Sequence, residues 1–161
     1  MKARLIGPLT SLGAMLALLV FVMDQLTKFW VLRIINLDGR EPIAITPFLN
    51  LAMAWNRGVS YGLLTTHAQQ VLIVMSLFIS AVLWLWLAKA TAPVAAAGLG
   101  LIIGGALGNA LDRVLHGAVA DFVHLHWGTV SWYIFNVADI AIVAGVALML
   151  YDGFFDRRET R

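Results

Sequence analysis

The run Val71–Ala88, VLIVMSLFISAVLWLWLA, contains no charged residue and decides the fold class of this chain. A helix of about 20 mostly apolar residues is needed to cross a hydrocarbon core of roughly 30 Å. Three other stretches have similar character: residues 9–30, 93–111 and 134–151. A chain of 161 residues is too small to bury four such helices inside itself. The sequence therefore predicts an all-α membrane protein built on a bundle of four transmembrane helices.

The composition supports a membrane protein and excludes several kinds of function. Hydrophobic residues make up 61% of the chain and charged residues only 12%, whereas a soluble domain is about one quarter charged. The chain has no cysteine, so disulfides, thiolate metal sites and a cysteine nucleophile are excluded. Its basic residues are scattered singly and form no stripe, so no nucleic-acid partner is expected. We expect one membrane domain over residues 1–161.

The placement of basic residues predicts the orientation of the four spans. Lys2 and Arg4 at one end, and the pair Arg157–Arg158 at the other, favour both termini in the cytoplasm. With four spans, this topology places residues 33–68 and 112–132 on the opposite, outer side of the membrane. These two outer segments are therefore where we look for structure other than transmembrane helices.

Alternating apolar and polar residues predict short strands in both outer segments. The pattern occurs at Ile43–Ile45 and Phe48–Leu51 in the first segment, and at Val119–Trp127 in the second. The third span carries a separate signal, since small residues recur at every fourth position: Gly100, Gly104 and Gly108. Small residues at this spacing allow close helix approach in lipid, so we expect a packing seam there.

Several ionisable and amide residues lie where the membrane makes them costly. A charged residue at the centre of a span costs about 2.5–3.5 kcal/mol on insertion scales. Asp24 and Lys28 are four residues apart, so they share a helix face and can pair. Others end the third span or begin the fourth: Asn109, Asp112, Arg113, Asn136 and Asp139. Taken alone, these residues are either interfacial ion pairs or the supports of a site.

Asp121 and Asp139 form the pair with the clearest chemical meaning. Both lie at the outer boundary of neighbouring segments, although the spacing does not show that they touch. Two carboxylates that share a site do not both ionise easily, so one retains a proton. Such a pair can hold a water molecule, with one member as base and the other as acid. This chemistry hydrolyses a bond without a metal or a covalent intermediate.

Two alternatives to this hydrolase remain open from the residues alone, a transporter and an assembly factor, and a metal site is set aside. His124 and His126 could begin a metal site, but no third ligand has a motif spacing, so we expect no metal and no cofactor. A small proton-coupled transporter could use Asp24, Lys28 and Asp139 as a relay, although their position toward one membrane face argues against this. A non-catalytic assembly factor gives no reason for two outer aspartates.

Five motifs in order resemble one known family over nearly the whole chain. They are Asp24–Lys28 (DQLTK), Asn56–Gly62 (NRGVSYG), Gly104–Arg113 (GGALGNALDR), Val119–Phe122 (VADF) and Phe135–Asp139 (FNVAD). Each motif alone is modest, but the ordered set is specific. The chain resembles the bacterial lipoprotein signal peptidase family, signal peptidase II.

The resemblance implies an aspartic endopeptidase of the bacterial inner membrane. Members cut diacylglyceryl-modified prolipoproteins just before the lipidated cysteine. Asp121 and Asp139 match the catalytic aspartates of the family. The supporting polar positions match the following residues: Asp24, Lys28, Asn56, Asn109, Asp112, Arg113 and Asn136.

The resemblance also implies a fold and an environment. The family fold is a four-helix bundle with a small extracytoplasmic β-sheet cradle and a short helix in the first outer segment. We expect the chain to act as a monomer among membrane lipids, with prolipoproteins as its substrates. Four apolar side chains would suit acyl chains and a covering loop: Trp55, Val59, Phe122 and Trp127.

Overall fold

The computed structural model describes residues 5–58 and 68–159, with side chains as far as Phe154. Its elements follow in chain order: α1 (Thr10–Phe29), a π-helical turn (Trp30–Ile34), β1 (Ile43–Thr46), β2 (Leu49–Asn56), α2 (Ala68–Leu87), α3 (Pro93–His116), β3 (Val119–Trp127), β4 (Val130–Phe135) and α4 (Val137–Glu159). Four helices in the described part are long and apolar enough to cross a membrane. The charged ends that predict the topology lie outside the described side chains. The prediction of four membrane-spanning helices is thus confirmed by length and composition.

Helix α3 is longer than the sequence predicts, because its polar end stays helical. The apolar pattern indicates a helix over 93–111, but α3 continues to His116. Asp112, predicted to lie in the outer segment, is buried inside the bundle, where its carboxylate pairs with Lys28. Because the paired carboxylate does not need water, the helix can continue through this position. The helix ends where Gly117 takes a left-handed conformation with φ 68°, a common helix stop.

Helix α4 begins later than the sequence predicts. Residues 134 and 135 were expected in the fourth span, but they belong to β4, and α4 begins at Val137. The side chain of Asn136 caps the helix start, so the polar residue and not the apolar run marks the boundary. Helix α2 differs less, running from Ala68 to Leu87 instead of 71–88.

The helix α3 lies at the centre of the bundle and packs against α1, α2 and α4. A Cβ atom at Gly100 or Gly104 would overlap the carbonyl oxygen of Gly13 or Ala17, respectively, so the backbones of α3 and α1 are in direct contact. Gly108, the third member of the seam, lies against the carboxylate of Asp24. The predicted packing seam is therefore confirmed, and its last position reaches a polar group.

A second close approach joins α3 to α4 and is not signalled by a regular spacing. A Cβ atom at Gly145 would lie 2.6 Å from the carbonyl oxygen of Gly98, and one at Gly105 would lie 2.5 Å from that of Ala138. Small residues therefore line two sides of α3. Because both neighbours approach α3 so closely, polar side chains from the three helices can meet at one end of the bundle.

The strands form one antiparallel sheet in the order β1-β2-β3-β4. The short strands predicted in both outer segments are confirmed. The first four residues of β3, Val119–Phe122, are buried, whereas its far end is exposed. Phe122 packs with Val31 and Leu37, which ties the sheet to the segment that follows α1. The short helix implied for the first outer segment does not occur in residues 35–58, and residues 59–67 lie outside the described part.

The seam between α1 and α3 gives a direct test of the bundle. Gly104→Ala should lower the thermal unfolding temperature in detergent, because its methyl group overlaps backbone atoms and overpacking costs about 1–3 kcal/mol. Gly153→Ala is the matched control, since nothing lies within 4 Å of its Cβ position. There, alanine should stabilise the helix by about 0.5–1 kcal/mol. Equal unfolding temperatures for the two variants would contradict the seam.

Candidate active site

Lys28 is the centre of a buried polar cluster at one end of the bundle. Its Nζ lies 2.7 Å from Oδ2 of Asp24 and 2.8 Å from Oδ2 of Asp112, and it also donates to Oδ1 of Asn109 at 3.1 Å. Lys28 is only 3% exposed and Asp24 is fully buried. The pairing that the spacing of Asp24 and Lys28 predicts is present, and the structure adds Asp112. Removing one partner from such a buried pair costs about 3–5 kcal/mol.

Each carboxylate that binds Lys28 also holds a backbone amide. Oδ2 of Asp112 accepts from the N–H of Ala120 at 3.0 Å, and Oδ1 of Asp24 accepts from the N–H of Ala138 at 3.0 Å. In the sequence, Ala120 directly precedes Asp121 and Ala138 directly precedes Asp139. The ammonium is therefore linked through two carboxylates to the backbone beside both candidate catalytic residues.

Two asparagine side chains connect Asp121 with Asp139. The Nδ2 group of Asn136 donates to Oδ1 of Asp121 at 2.6 Å and to Oδ1 of Asn109 at 3.1 Å. The Nδ2 group of Asn109 in turn donates to Oδ1 of Asp139 at 2.9 Å. The structure thus brings into one hydrogen-bonded network two aspartates that the sequence places only at the same boundary.

Asp139 also takes part in a capping box at the start of α4. Oδ1 of Asn136 accepts from the N–H of Asp139 at 2.9 Å, and Oδ2 of Asp139 accepts from the N–H of Asn136 at 3.3 Å. Such reciprocal bonds satisfy backbone amides that the helix leaves unpaired. They also hold the Asp139 side chain in one orientation, and the helix N-terminus favours a negative charge there.

Asp121 lies in a different environment, which favours its protonated form. The residue is only 3% exposed on β3. Burial raises the pKa of Asp121 to about 6, and the neighbouring charge of Asp139 acts in the same direction. Hydrogen bonds from Asn56 and Asn136, and the charge of Lys28, oppose this rise in pKa. Asp121 therefore exchanges its proton near neutral pH, where a proton-transfer group is useful.

Asn56 and Arg113 border the two aspartates. Asn56 lies at the end of β2, next to β3, and its Oδ1 accepts from the N–H of Gly58 at 2.8 Å. Nη1 of Arg113 donates to the carbonyl oxygen of Asn109 at 3.1 Å. The Nε atom of Arg113 is buried and has no hydrogen-bond partner within the described part of the chain. Residues 59–62 of the NRGVSYG motif, Val59 among them, lie outside the described residues.

Gln25 is a member of the network that lies within the DQLTK motif but is not among the predicted site residues. Its Nε2 group donates to Oδ2 of Asp24 at 3.1 Å, to Oδ1 of Asp112 at 3.2 Å and to the carbonyl oxygen of Gly108 at 3.3 Å. Gln25 thus joins the same two carboxylates that bind Lys28. The sequence feature that points to Gln25 is an amide side chain inside an apolar helix, where an unpaired polar group is costly.

The remaining sequence candidates lie apart from this network. His124 bonds Ser131, with 2.6 Å between Nε2 and Oγ, and its ring is 5.5 Å from that of His126. Among the described side chains, no group of three His, Cys, Asp or Glu residues could hold a metal ion. Phe122, expected to face acyl chains, is instead buried in the core. Trp127 is 79% exposed, and Trp55 packs against a histidine ring.

Comparison with protein families gives this arrangement its context. The family model for Signal peptidase (SPase) II matches residues 16–155. The chain belongs to the signal peptidase II family. Family membership confirms the resemblance seen in the sequence motifs, and it favours a protease over a transporter or an assembly factor.

Individual members of the family cover most of the chain. The lipoprotein signal peptidase of Methylocella silvestris is 49% identical over 150 residues, which are 91% of this chain and 88% of that protein. The lipoprotein signal peptidase of Methylobacterium sp. strain 4-46 is 48% identical, over 88% of this chain and 87% of its own length. The similarity therefore extends over nearly the whole length of both chains.

Two solved structures share the fold. Both are bacterial membrane enzymes determined by the in meso method, at 2.3 Å and 1.9 Å resolution. The first has a TM-score of 0.79 at 26% identity and covers 94% of this chain and 92% of its own. The second has a TM-score of 0.75 at 28% identity and covers 88% of this chain and 91% of its own. The four helices and the sheet are thus the architecture of known membrane enzymes.

The raised pKa of Asp121 makes a testable contribution to stability. Its pKa is about 6 in the folded protein against an ordinary value of 3.8, so the folded state binds the proton more tightly. Stability is therefore lost as the pH rises from about 4 through about 6. Asp121→Asn removes this loss and should stabilise the protein above pH 6 by up to about 3 kcal/mol.

Thermal unfolding of purified protein in detergent, measured from pH 4 to pH 8, checks this expectation. The gain from Asp121→Asn should vanish at the acidic end of the series. Glu41→Gln removes an exposed carboxylate outside the network and is the matched control. A change in the stability of Asp121→Asn that stays constant over the whole pH range would contradict the assigned environment of Asp121.

Proposed function

We propose that this chain is a signal peptidase of prolipoproteins and that Asp121 and Asp139 are its catalytic residues. The substrate is a diacylglyceryl-modified prolipoprotein, and the bond cut is the one before the lipidated cysteine. The observation that carries the proposal is the network in which Asn136 and Asn109 hold the two carboxyl groups. Family membership supplies the class of substrate.

The proposed reaction is a hydrolysis by two carboxyl groups with opposite protonation states. The ionised carboxylate takes a proton from water, whose oxygen attacks the carbonyl carbon of the scissile peptide bond. The protonated carboxyl donates its proton to the carbonyl oxygen, which gives a tetrahedral diol. Collapse of the diol breaks the C–N bond. The amine leaves with the proton held by the first carboxyl, and the second carboxylate takes a proton back from a hydroxyl of the diol, which becomes the new carboxylic acid. The two groups thus exchange roles during one turnover.

The two environments suggest which aspartate begins in which role. Asp121 is buried on a strand, and its pKa of about 6 favours the protonated form. Asp139 is only half-buried and lies in the first turn of α4, where the helix N-terminus stabilises an anion. Asp121 is therefore the general acid of the first step, and Asp139 is the general base.

The location of the network suits a substrate that arrives through the lipid. The network lies where the ends of α1, α3 and α4 meet the buried beginning of β3. Many large apolar side chains of the helices are exposed on the outer surface of the bundle, as lipid contact requires. We place both termini in the cytoplasm of a bacterial inner membrane and the sheet on the outer face, as a cradle beside the scissile bond. The monomer is the proposed functional unit.

Cleavage of a diacylglyceryl-modified lipobox peptide by the purified protein tests this proposal. Asp121→Asn and Asp139→Asn should each lower kcat by at least about 10²- to 10⁴-fold, because an amide cannot exchange the proton. Glu41→Gln should cleave at the parental rate. Normal turnover by either aspartate variant, with parental folding, would eliminate the proposed pair. Loss of cleavage on adding excess chelator would indicate a metal-dependent reaction, with His124 and His126 as candidate metal ligands.

The assignment of roles gives a separate prediction for the pH profile. Since kcat/KM reports ionisations of the free enzyme, it should fall as the pH rises through about 6, where Asp121 loses the proton it donates. The measurement is kcat/KM for the same peptide between pH 5 and pH 9. A kcat/KM that instead rises between pH 6 and pH 8 would assign the base role to Asp121.

A further inference from the structure

Asp121 and Asp139 are connected to Lys28 by two paths of the same construction. In each path, Lys28 binds a carboxylate, and that carboxylate accepts from the backbone N–H of the alanine just before the aspartate. One path runs through Asp112 to β3, and the other runs through Asp24 to α4. No direct contact from Lys28 to Asp121 or Asp139 is needed for this connection.

The paths supplement two other connections between β3 and the start of α4, which are the pairing of β3 with β4 and the hydrogen bonds through Asn136 and Asn109. β3 begins two residues after the end of α3, whereas α4 follows a β-strand from the sheet. A shift of about 1 Å between reacting groups can lower a rate about 100-fold. Lys28, buried at the junction of α1 and α3, offers both elements a common reference point.

We propose that Lys28 is a positioning residue that sets the separation of Asp121 and Asp139, acting through Asp24 and Asp112. This inference rests on the proposed function for its catalytic consequence. The separation of the two side chains can be measured independently of any activity. A simpler role for Lys28 is to neutralise two buried carboxylates, and the two roles lead to different results.

The two carboxylates differ in a way that separates positioning from neutralisation. In Asp112 one oxygen, Oδ2, accepts from both Lys28 and Ala120, so an asparagine can keep both of these bonds with its single oxygen and loses only the bond that Gln25 donates to Oδ1. In Asp24 the two partners use different oxygens, Oδ2 for Lys28 and Oδ1 for Ala138. An asparagine at 24 must therefore give up one of them. The charge removed is the same in both variants.

The first measurement reports the separation without any catalysis. The chain has no cysteine, so Asp121→Cys with Asp139→Cys places two unique thiols in the protein. Dibromobimane, which fluoresces once it has joined two thiols, measures their cross-linking rate in detergent. We expect Asp24→Asn to slow the cross-linking about tenfold or more and Asp112→Asn to change it little. Equal rates in the two backgrounds would overturn the positioning role.

The second measurement uses the native aspartates and the lipobox peptide. Asp24→Asn should lower kcat about 100-fold with little change in KM, whereas Asp112→Asn should lower kcat only a few-fold. Neutralisation alone would give the two variants the same kcat. Lys28→Met is measured alongside these variants. Lys89→Met removes an exposed lysine between α2 and α3 and is the control for the loss of a positive charge.

A third comparison keeps the test decisive where Asp24→Asn does not fold. Asp112→Asn and Asp112→Leu remove the same charge, but only the asparagine keeps an acceptor for Ala120. We expect Asp112→Leu to slow cross-linking and lower kcat, and Asp112→Asn to do neither strongly. Equal behaviour would overturn the inference. Cross-linking that follows the expected order in a protein that cleaves no prolipoprotein would uphold the positioning and refute the proposed function.

Discussion

A positive charge buried among apolar helices has to be paired, and the structure depends on how Lys28 meets this requirement. Desolvation of an ammonium group costs several kcal/mol unless carboxylates and hydrogen bonds replace its water. Asp24 comes from the same helix, and Asp112 and Asn109 come from α3. Because the two carboxylates also bind backbone amides of β3 and α4, one desolvated charge fixes the relative position of four elements.

This pairing is possible only because α1 and α3 approach each other closely. A Cβ atom at Gly108 would lie 2.5 Å from Oδ2 of Asp24, the same oxygen that binds Lys28. The regular glycine seam therefore has two functions along its length. Near Gly100 and Gly104 it brings backbones together, and at Gly108 it makes room for a charged group. Apolar packing and the polar network are thus parts of one arrangement.

The sequence predicts the parts of this structure that depend on local periodicity. The four spans, the strands and the Asp24–Lys28 pair follow from apolar length, alternation and helical spacing. The ends of α3 and α4 do not, because they depend on polar residues that become buried only when partners from other helices arrive. Asp112 remains helical for this reason, and Gln25 is a network member for the same reason. Long-range partners of this kind are not visible in the local pattern of one sequence.

The close crossing of Gly98 and Gly145 gives residues remote from the polar network an influence on Asp139. Gly145 lies on α4 six residues beyond Asp139, roughly 9 Å along the axis. Helix α4 is held against α3 at two points, at this crossing and at the contact of Gly105 with Ala138, which directly precedes Asp139. A side chain that widens the crossing of Gly98 and Gly145 therefore tilts α4 about its other contact and changes the orientation of the helix that carries Asp139. The position of Asp139 thus depends on helix packing at residues that are not part of the hydrogen-bonded network.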